Sequence, residues 1–395
     1  MSPESESSSE GSSPSRSVNV GSHICSADLE HLPDDASIAS RTGDAALRIV
    51  AQLIKNGKAK RIVVLAGAGM STSAGIPDFR SPGTGLYNNL QALNLPHPQA
   101  VFELGYFVDN PKPFWTLAKE LYPGKHFPTP AHYFLALLAK HNVLEKVFTQ
   151  NIDTLEQLTG MDQDLIIEAH GSFATAHCLA CRAESSTEHV LKSGVRRGEV
   201  VRCPKAHCEG LVKPDIVFFG EGLPEAFFDA MPCMRQCDLC IIIGTSLQVQ
   251  PFARLPNYAR PHVPRILINR EAVGLIEKLA KPDGEKTLSH ILAGLSLLED
   301  TRPTDMFYQG DADDAVRKLA EEIGWADELE QMIQEGHAAL AAKWGQAVPS
   351  TPYESSGEPE IQDDGKVPAD EIQSLQSLLK DALTKRHTQD SPDRL

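Results

Sequence analysis

The sequence predicts an α/β fold, a parallel sheet covered by helices on both faces, with a smaller module set into it. Three observations predict it. Short β-branched apolar runs such as Arg61-Ile-Val-Val-Leu-Ala66 have the length and composition of strands buried on both faces. Helical and strand periods alternate repeatedly along the chain. Two cysteine pairs interrupt that alternation and mark the smaller module.

Taken in order, residues 1–41 are rich in serine and acid, with too little apolar content to offset the entropy of ordering, and read as a disordered tail. Thr42-Gly-Asp44 offers a helix N-cap before the stripe Leu47, Val50, Ile54, and that helix delivers the chain to the first strand. Between about 86 and 130, prolines and aromatics (Tyr87, Phe102, Tyr106, Phe107, Phe114, Trp115) indicate an inserted helical module whose aromatics form its core. An amphipathic helix is expected over 132–141, a strand over 145–149, a helix over 154–158 and a strand over 164–169. After the cysteines the alternation resumes with a strand over 215–219, a helix near 224–234, strands over 238–244 and 264–269, a strand over 306–308 and a helix over 311–323. The catalytic unit is expected to span 42–330.

The stretch Gly67-Ala-Gly-Met-Ser-Thr-Ser-Ala-Gly-Ile-Pro-Asp-Phe-Arg80 follows the first strand, where phosphates bind in doubly wound folds. Without a Cβ, Gly67 and Gly69 let backbone N–H groups approach a pyrophosphate, and a helix starting there would add its positive end, a Rossmann-like arrangement. Thr72 stands where the usual fingerprint has its third glycine, and an unliganded tight turn fits the same residues.

Cys178-Leu-Ala-Cys181 and Cys203-Pro-Lys-Ala-His-Cys208 are two tight pairs about twenty residues apart, the pattern of a four-thiolate zinc ribbon over about 172–213. With all four positions filled, such a metal holds a module together and activates no water. His207 is an alternative to Cys208 as fourth ligand. Cys233, Cys237 and Cys240 fall on a predicted helix and strand as core residues, and Cys25 lies in the tail.

With Thr149-Gln150-Asn151-Ile-Asp153, Glu168-Ala-His170-Gly171 and Ile243-Gly-Thr-Ser246, these motifs occur in the order found in sirtuins. From about Asp44 to Trp325 the chain resembles that family of NAD-dependent protein deacylases, in its class I-like form of fungal or animal cytoplasmic and nuclear type. The resemblance implies an NAD-consuming protein-lysine deacetylase with one structural zinc. It assigns NAD contacts to Gly67, Ala68, Gly69, Thr72, Asp78, Phe79, Arg80, Gln150, Asn151, Ile152, Asp153, Gly244, Thr245, Ser246, Asn269, Arg270, Glu271 and Ala312. Asn151 and Asp153, with Ile152 beside them, fall in the nicotinamide pocket; an Asp153 helix cap ahead of Leu155 fits the residues as well.

His170 is the expected base. It ends an apolar strand at a carboxyl edge of the sheet, and imidazole is the side chain best suited to take a proton near neutral pH. In the implied mechanism the acetyl oxygen attacks the anomeric carbon of the nicotinamide ribose, nicotinamide leaves, and His170 deprotonates a ribose hydroxyl. Val217, Phe218, Phe219, Gly220 and Glu221 end an apolar strand abruptly and are expected to receive an extended acetyl-lysine peptide by strand addition, with Val217 and Phe218 lining the acyl-lysine channel. No Tyr-x-x-Arg pair supplies a cation for an acidic acyl group. Alternative functions are an NAD-dependent ADP-ribosyltransferase and a noncatalytic NAD or acetyl-peptide binder; a dehydrogenase fits the zinc ribbon and peptide strand poorly.

The chain's 395 residues carry a formal charge of −16. That balance disfavours nucleic acid and suits basic partners such as histone tails. No apolar run reaches membrane-spanning length, and sparse, clustered cysteines suit a reducing compartment, so a soluble protein of cytoplasm and nucleus is expected. Residues 331–365 read as a helix end and an acidic linker. Beyond them, Ile372, Leu375, Leu378, Leu379 and Leu383 form the stripe of an amphipathic helix over about 366–388, expected to bind the chain's own groove, a second copy or another partner.

Overall fold

The computed structural model describes residues 41–78, 95–273 and 304–349. The N-terminal tail, Phe79, Arg80, Tyr87 and the 366–388 helix lie outside the described residues.

Six strands form one parallel sheet: β1 (Ile62–Ala66), β2 (Leu144–Thr149), β3 (Ile166–Glu168), β6 (Leu239–Ile243), β7 (Arg265–Asn269) and β8 (Asp305–Gln309), in the order β3-β2-β1-β6-β7-β8. The chain steps outward from β1 to β3, returns beside β1 as β6, and steps outward the other way. The strand order reverses between β1 and β6, and there the carboxyl ends diverge into a crevice.

Alternation along the strands fills two cores. Ile62, Val64 and Ala66 point with Val147, Ile241 and Ile266 towards helices α1 (Gly43–Lys55), α4 (Pro130–Lys140), α10 (Ala312–Ile323) and α11 (Ala326–Trp344). Val63, Leu65, Phe148, Ile242 and Leu267 point the other way, onto α7 (Glu225–Ala230), α8 (Cys233–Gln236) and α9 (Leu255–Tyr258). Cys233, Cys237 and Cys240 are buried in this second core, and burial pushes the Cys233 and Cys237 thiols up to about 12, so they are inert packing groups.

A separate apolar cluster holds the smaller module. Helices α2 (Leu104–Asp109) and α3 (Lys112–Leu121) bring Phe107, Phe114 and Trp115 together with Phe102, Phe173 and Phe218, mostly edge to face. The ribbon that carries the cysteines also bears α6 (Thr187–Lys192). It is framed by β4 (Gly171–Cys178) and β5 (Val212–Ile216), which pair antiparallel in a sheet of their own.

Several expectations are corrected. The strand expected over 215–219 belongs to neither edge of the parallel sheet; it is Val212–Ile216, drawn against β4 by the ribbon between them. The 132–141 helix is not amphipathic: from Pro130 to Leu138 every residue is buried, because the sheet, α10 and α11 enclose it. The helix near 224–234 is two short helices separated at Met231 and Pro232. No helix long enough to act as a dipole follows Gly69; Ala68–Met70 and Thr72–Ala74 are single 3-10 turns. Helix α11, 19 residues long, extends the fold past Ile323 and packs on α4 and α10. No helix among the described residues is long and apolar enough to cross a membrane.

Candidate active site

Three loops meet in the crevice where strand order reverses, and glycines let them meet. A Cβ on Gly67 would lie 2.6 Å from Thr245 Cβ, one on Gly69 would lie 2.7 Å from Gly244 Cα, and one on Gly244 would lie 2.6 Å from Met70 N. These are contacts with backbone atoms or a Cβ, which no rotamer change relieves. The Gly67 and Gly69 N–H groups donate to Ile243 O (3.0 Å) and Gly244 O (2.8 Å). Those two N–H groups are bonded to the end of β6 and the residue after it, and the missing side chains let the two segments meet and shape the crevice.

Gln150, at the end of β2, is the hub. Its N–H donates to Ala66 O, its side-chain oxygen accepts from Thr245 Oγ1 at 2.6 Å, and its backbone carbonyl lies 3.0 Å from His170 Nδ1. A carbonyl only accepts, so Nδ1 carries the ring proton and Nε2 is left with its lone pair. Burial lowers the His170 pKa below the ordinary imidazole value, opposed by the bond to Gln150, and the ring is neutral at pH 7.

His170 is fixed from below as well. Gly171 has φ +63°, and a Cβ there would lie 1.9 Å from Asp215 O, so only glycine lets β4 begin this close to β5. The Val217 N–H donates to His170 O at 2.8 Å, which ties the histidine to the strand end expected to receive peptide.

Asn151 and Asp153 are buried beside the hub. Asn151 Nδ2 donates to Gly67 O (3.2 Å) and to Ser71 Oγ (3.3 Å), and Ser71 Oγ donates to Asp153 Oδ2 (2.7 Å). Asp153 Oδ1 accepts from Leu155 N at 3.0 Å, at the start of α5 (Leu155–Leu158), while its other oxygen faces the site. The expected Asp153 helix cap is thus corrected to a bond on the first N–H of the helix from the residue before the cap. Burial raises its pKa, against the Ser71 and Leu155 bonds. Ile152 packs into the small-module core.

The remaining candidates spread outward. Thr72 Oγ1 donates to Gly69 O (3.3 Å), Ser246 and Asp78 are half-buried, and Asn269 Nδ2 donates to Glu271 O (2.8 Å). Arg270 pairs with Asp311, the cap of α10, and Ala312 is buried as that helix begins. Ala68 lies in the turn between Gly67 and Gly69.

The expected peptide edge differs from its sequence reading. Phe219 N–H donates to Phe102 O (2.8 Å) and Phe218 N–H to Glu221 Oε2 (2.7 Å), so with Val217 three N–H groups of that edge are already bonded. Phe218 is buried against Phe102, Phe107 and Phe114 and so is a core side chain here. The abrupt polar end has an internal cause: Glu221 also pairs with the buried Lys213 at 3.0 Å. Phe219 and Gly220 remain exposed.

Cys178 and Cys208 sulfurs lie 3.7 Å apart, as do those of Cys181 and Cys203, and all four fall within 4.8 Å of one another. Four sulfurs about 2.3 Å from a central zinc would be about 3.8 Å apart, so the set fits a tetrahedral thiolate site. His207 is outside the set. A Cβ on Gly210 would lie 2.7 Å from Cys178 Sγ, which shows how closely the second knuckle wraps the site.

Sequence reasoning missed Ser71, Thr149, His132 and Glu156, all buried and polar. Ser71 lies inside the glycine stretch, where its hydroxyl is the signal that could have marked it. His132 and Glu156 carry no spacing signal, because they meet across two helices.

A family model described as the Sir2 family matches residues 67–251. The chain is 46% identical over 297 residues to an NAD-dependent protein deacetylase sirtuin-2 of Danio rerio, covering 74% of this chain and 76% of that protein. It is 48% identical over 288 residues to an NAD-dependent protein deacetylase hst2-1 of Emericella nidulans, covering 73% of each. With an NAD-dependent protein deacetylase hst2 of Schizosaccharomyces pombe it shares 43% identity over 339 residues, 86% of this chain and 94% of that one.

Proposed function

The chain belongs to the Sir2 family, and from that premise we propose that residues 42–330 form an NAD-dependent protein-lysine deacetylase acting on acetyl-lysine in basic proteins such as histone tails. NAD as co-substrate supplies the ribose carbon that accepts the acetyl group when nicotinamide leaves. The residues of this chain position, shield and deprotonate.

In this reading Asn151 and Asp153 bind the nicotinamide carboxamide, the amide offering both a donor and an acceptor and the carboxylate an acceptor. Gln150 and Thr245 hold the ribose side of the crevice, with Ser246 and the Thr72 turn towards the phosphates and Asn269, Arg270, Glu271 and Ala312 towards the adenosine. His170 takes a ribose hydroxyl proton on Nε2. The peptide lies against Phe219 and Gly220, next to the strand end that Val217 ties to His170. The zinc held by the four cysteines carries no catalytic step, since its coordination is complete. Cytoplasm with access to the nucleus suits such substrates.

The observation that supports this most is the Gln150 carbonyl on His170 Nδ1, which aims an unprotonated Nε2 into the crevice. Incubating the protein with an acetyl-lysine peptide, with and without NAD, and weighing the products tests it. Deacetylated peptide with acetylated ADP-ribose is expected; label from NAD retained on protein would favour the ADP-ribosyltransferase instead. His170→Ala should lower kcat by about 10²–10⁴-fold with folding intact. The acid limb of the wild-type rate should fall below the ordinary imidazole value, since burial favours the neutral ring. A folded His170→Ala protein with near-normal turnover would remove the histidine from its role.

A further inference from the structure

Behind Asp153 lie two titratable groups that the mechanism above does not use. His132 on α4, Asp153, and Glu156 in α5 are all buried, with one nitrogen and two carboxylate oxygens within 4.8 Å of one another. His132 Nε2 and Glu156 Oε1 have no hydrogen-bond partner. A histidine with two carboxylates invites a metal, but the histidine's other nitrogen argues against one. His132 Nδ1 accepts from the backbone N–H of Thr129 at 3.2 Å, half of the capping box that starts α4, and lies 2.8 Å from the Thr129 hydroxyl. A backbone amide cannot give up its proton, so the neutral ring carries its own proton on Nε2, facing the carboxyls. A metal on Nε2 would drive that proton onto Nδ1, against the Thr129 N–H.

The cluster is therefore a place for protons. Asp153 accepts from Ser71 Oγ, from Leu155 N–H and from its own backbone N–H, donors that favour its charged form. Glu156 is bonded by the Thr149 hydroxyl and its own backbone N–H while its Oε1 has no partner, against three donors on Asp153, and Thr149 Oγ1 also accepts the Asn151 N–H at 3.1 Å. We propose that Glu156 carries a proton and serves as a positioning residue: neutral, with the His132 Nε2–H beside it, it leaves Asp153 the single charge of the cluster and holds Asn151 through Thr149. This rests on the reading that Asn151 and Asp153 bind nicotinamide.

The surroundings agree. Burial, with Asp153 and then Glu168 adding repulsion, raises Glu156 to about 8; burial raises Asp153 as well, so the donors on Asp153 decide which of the two stays charged, while burial lowers His132 to about 3. Glu168 is itself raised by burial, and His126 acts on Asp153 in the opposite sense, favouring its charged form. No lysine or arginine faces Glu156 among these groups. A carboxyl whose folded pKa is raised keeps, between the ordinary carboxyl value and about 8, a proton that the unfolded chain has lost. Its contribution to stability is present at low pH and is lost as pH rises through about 8. A second charge then appears beside Asp153, and nicotinamide binding should fall.

The test compares Glu156→Gln, which mimics the protonated acid, with Glu156→Ala. Zinc content and melting temperature are measured first, and exchange of labelled nicotinamide into NAD, with acetyl peptide present, is followed from neutral to alkaline pH. Glu156→Ala should raise the nicotinamide KM about tenfold, the effect of losing one buried bond. Glu156→Gln should restore it and abolish the alkaline fall, and its melting temperature should gain on the wild type as pH rises. An infrared band of a protonated carboxyl at neutral pH, absent from Glu156→Gln, reads the proton without reference to activity. The proposal is overturned if Glu156→Gln loses exchange as Glu156→Ala does, if its alkaline fall persists, or if the wild type holds a second metal equivalent that Glu156→Gln lacks. Asp153→Asn separates the two readings: wild-type exchange in that variant would sink the nicotinamide pocket itself, whereas its loss alongside a normal Glu156→Ala would sink only the role of Glu156.

Discussion

The sheet and the ribbon of this protein are held together by different means. Each inner strand of the sheet buries both faces, and β1 and β6 are buried at every position. Between 172 and 213 the buried apolar side chains are Phe173, Ala176, Cys178, Val190, Val195, Val201 and Val212, most of them small. At about 25 cal/mol per Å² such side chains supply little, and a structural zinc supplies what they do not. The difference has a consequence for activity, because His170 sits where the two regions join. Its ring hangs from the sheet through Gln150, and its backbone hangs from the ribbon through Gly171 and Val217.

The largest effect should come from breaking the weaker region. Cys178→Ala leaves three thiols, and the variant should lose zinc and more than about a hundredfold of its activity, because three ligands no longer hold the module. Most of the helical circular dichroism should survive, since α1, α4, α10 and α11 pack on the sheet. Loss of all helical signal together with the metal would show that the two regions fold as one.

A smaller effect is expected at the join itself. Gly171→Ala puts a Cβ where Asp215 O already stands and asks a non-glycine residue to hold φ +63°. A cost of about 3 kcal/mol is expected, at the upper end for single substitutions. Zinc should stay bound while turnover falls, measured as metal content against kcat. Metal loss in this variant would mean that β4 cannot shift without opening the ribbon.

How much of this was legible follows the same division. The sheet strands, with their short β-branched runs and the motifs at their ends, were readable because a strand buried on both faces admits little else. The four cysteines were readable because metal geometry restricts spacing. What was not readable depends on contacts between segments distant in sequence. That Gly67 and Gly69 pack against Gly244 and Thr245 could not be read, because those partners are far along the chain. The Val212–Ile216 strand looked like one more member of the parallel sheet because nothing local shows which partner a short strand takes. The internal partners of Phe218, Phe219 and Glu221, among them the buried Lys213 and the Phe102 carbonyl, could not be seen in sequence. Glu156 and His132 carried no signal, since two single residues on different helices make no pattern.

The smallest effect should lie within the stronger region, where one side chain reaches from a helix to the glycine stretch. Asp313, in the first turn of α10, is buried; its Oδ1 accepts from Ala131 N at 3.0 Å and its Oδ2 from Ser73 Oγ at 2.5 Å. It thus joins α10, the start of α4 and the turn that precedes Asp78. In Asp313→Asn the single amide oxygen accepts from one of these donors, and the NH₂ group is set against the other, so one hydrogen bond is lost. Burial raises the Asp313 pKa, which means that the charged form already bears a desolvation cost. The neutral amide escapes that cost, and this gain offsets part of the lost bond. A net destabilisation of about 1 kcal/mol is expected, with the KM for NAD raised a few-fold and kcat unchanged as Ser73 and its turn loosen. Denaturant unfolding and steady-state kinetics on the one variant check both parts. An unchanged KM with the expected loss of stability would show that the turn is held by the Gly69–Gly244 contact alone, and that Asp313 serves only to dock α10 onto α4.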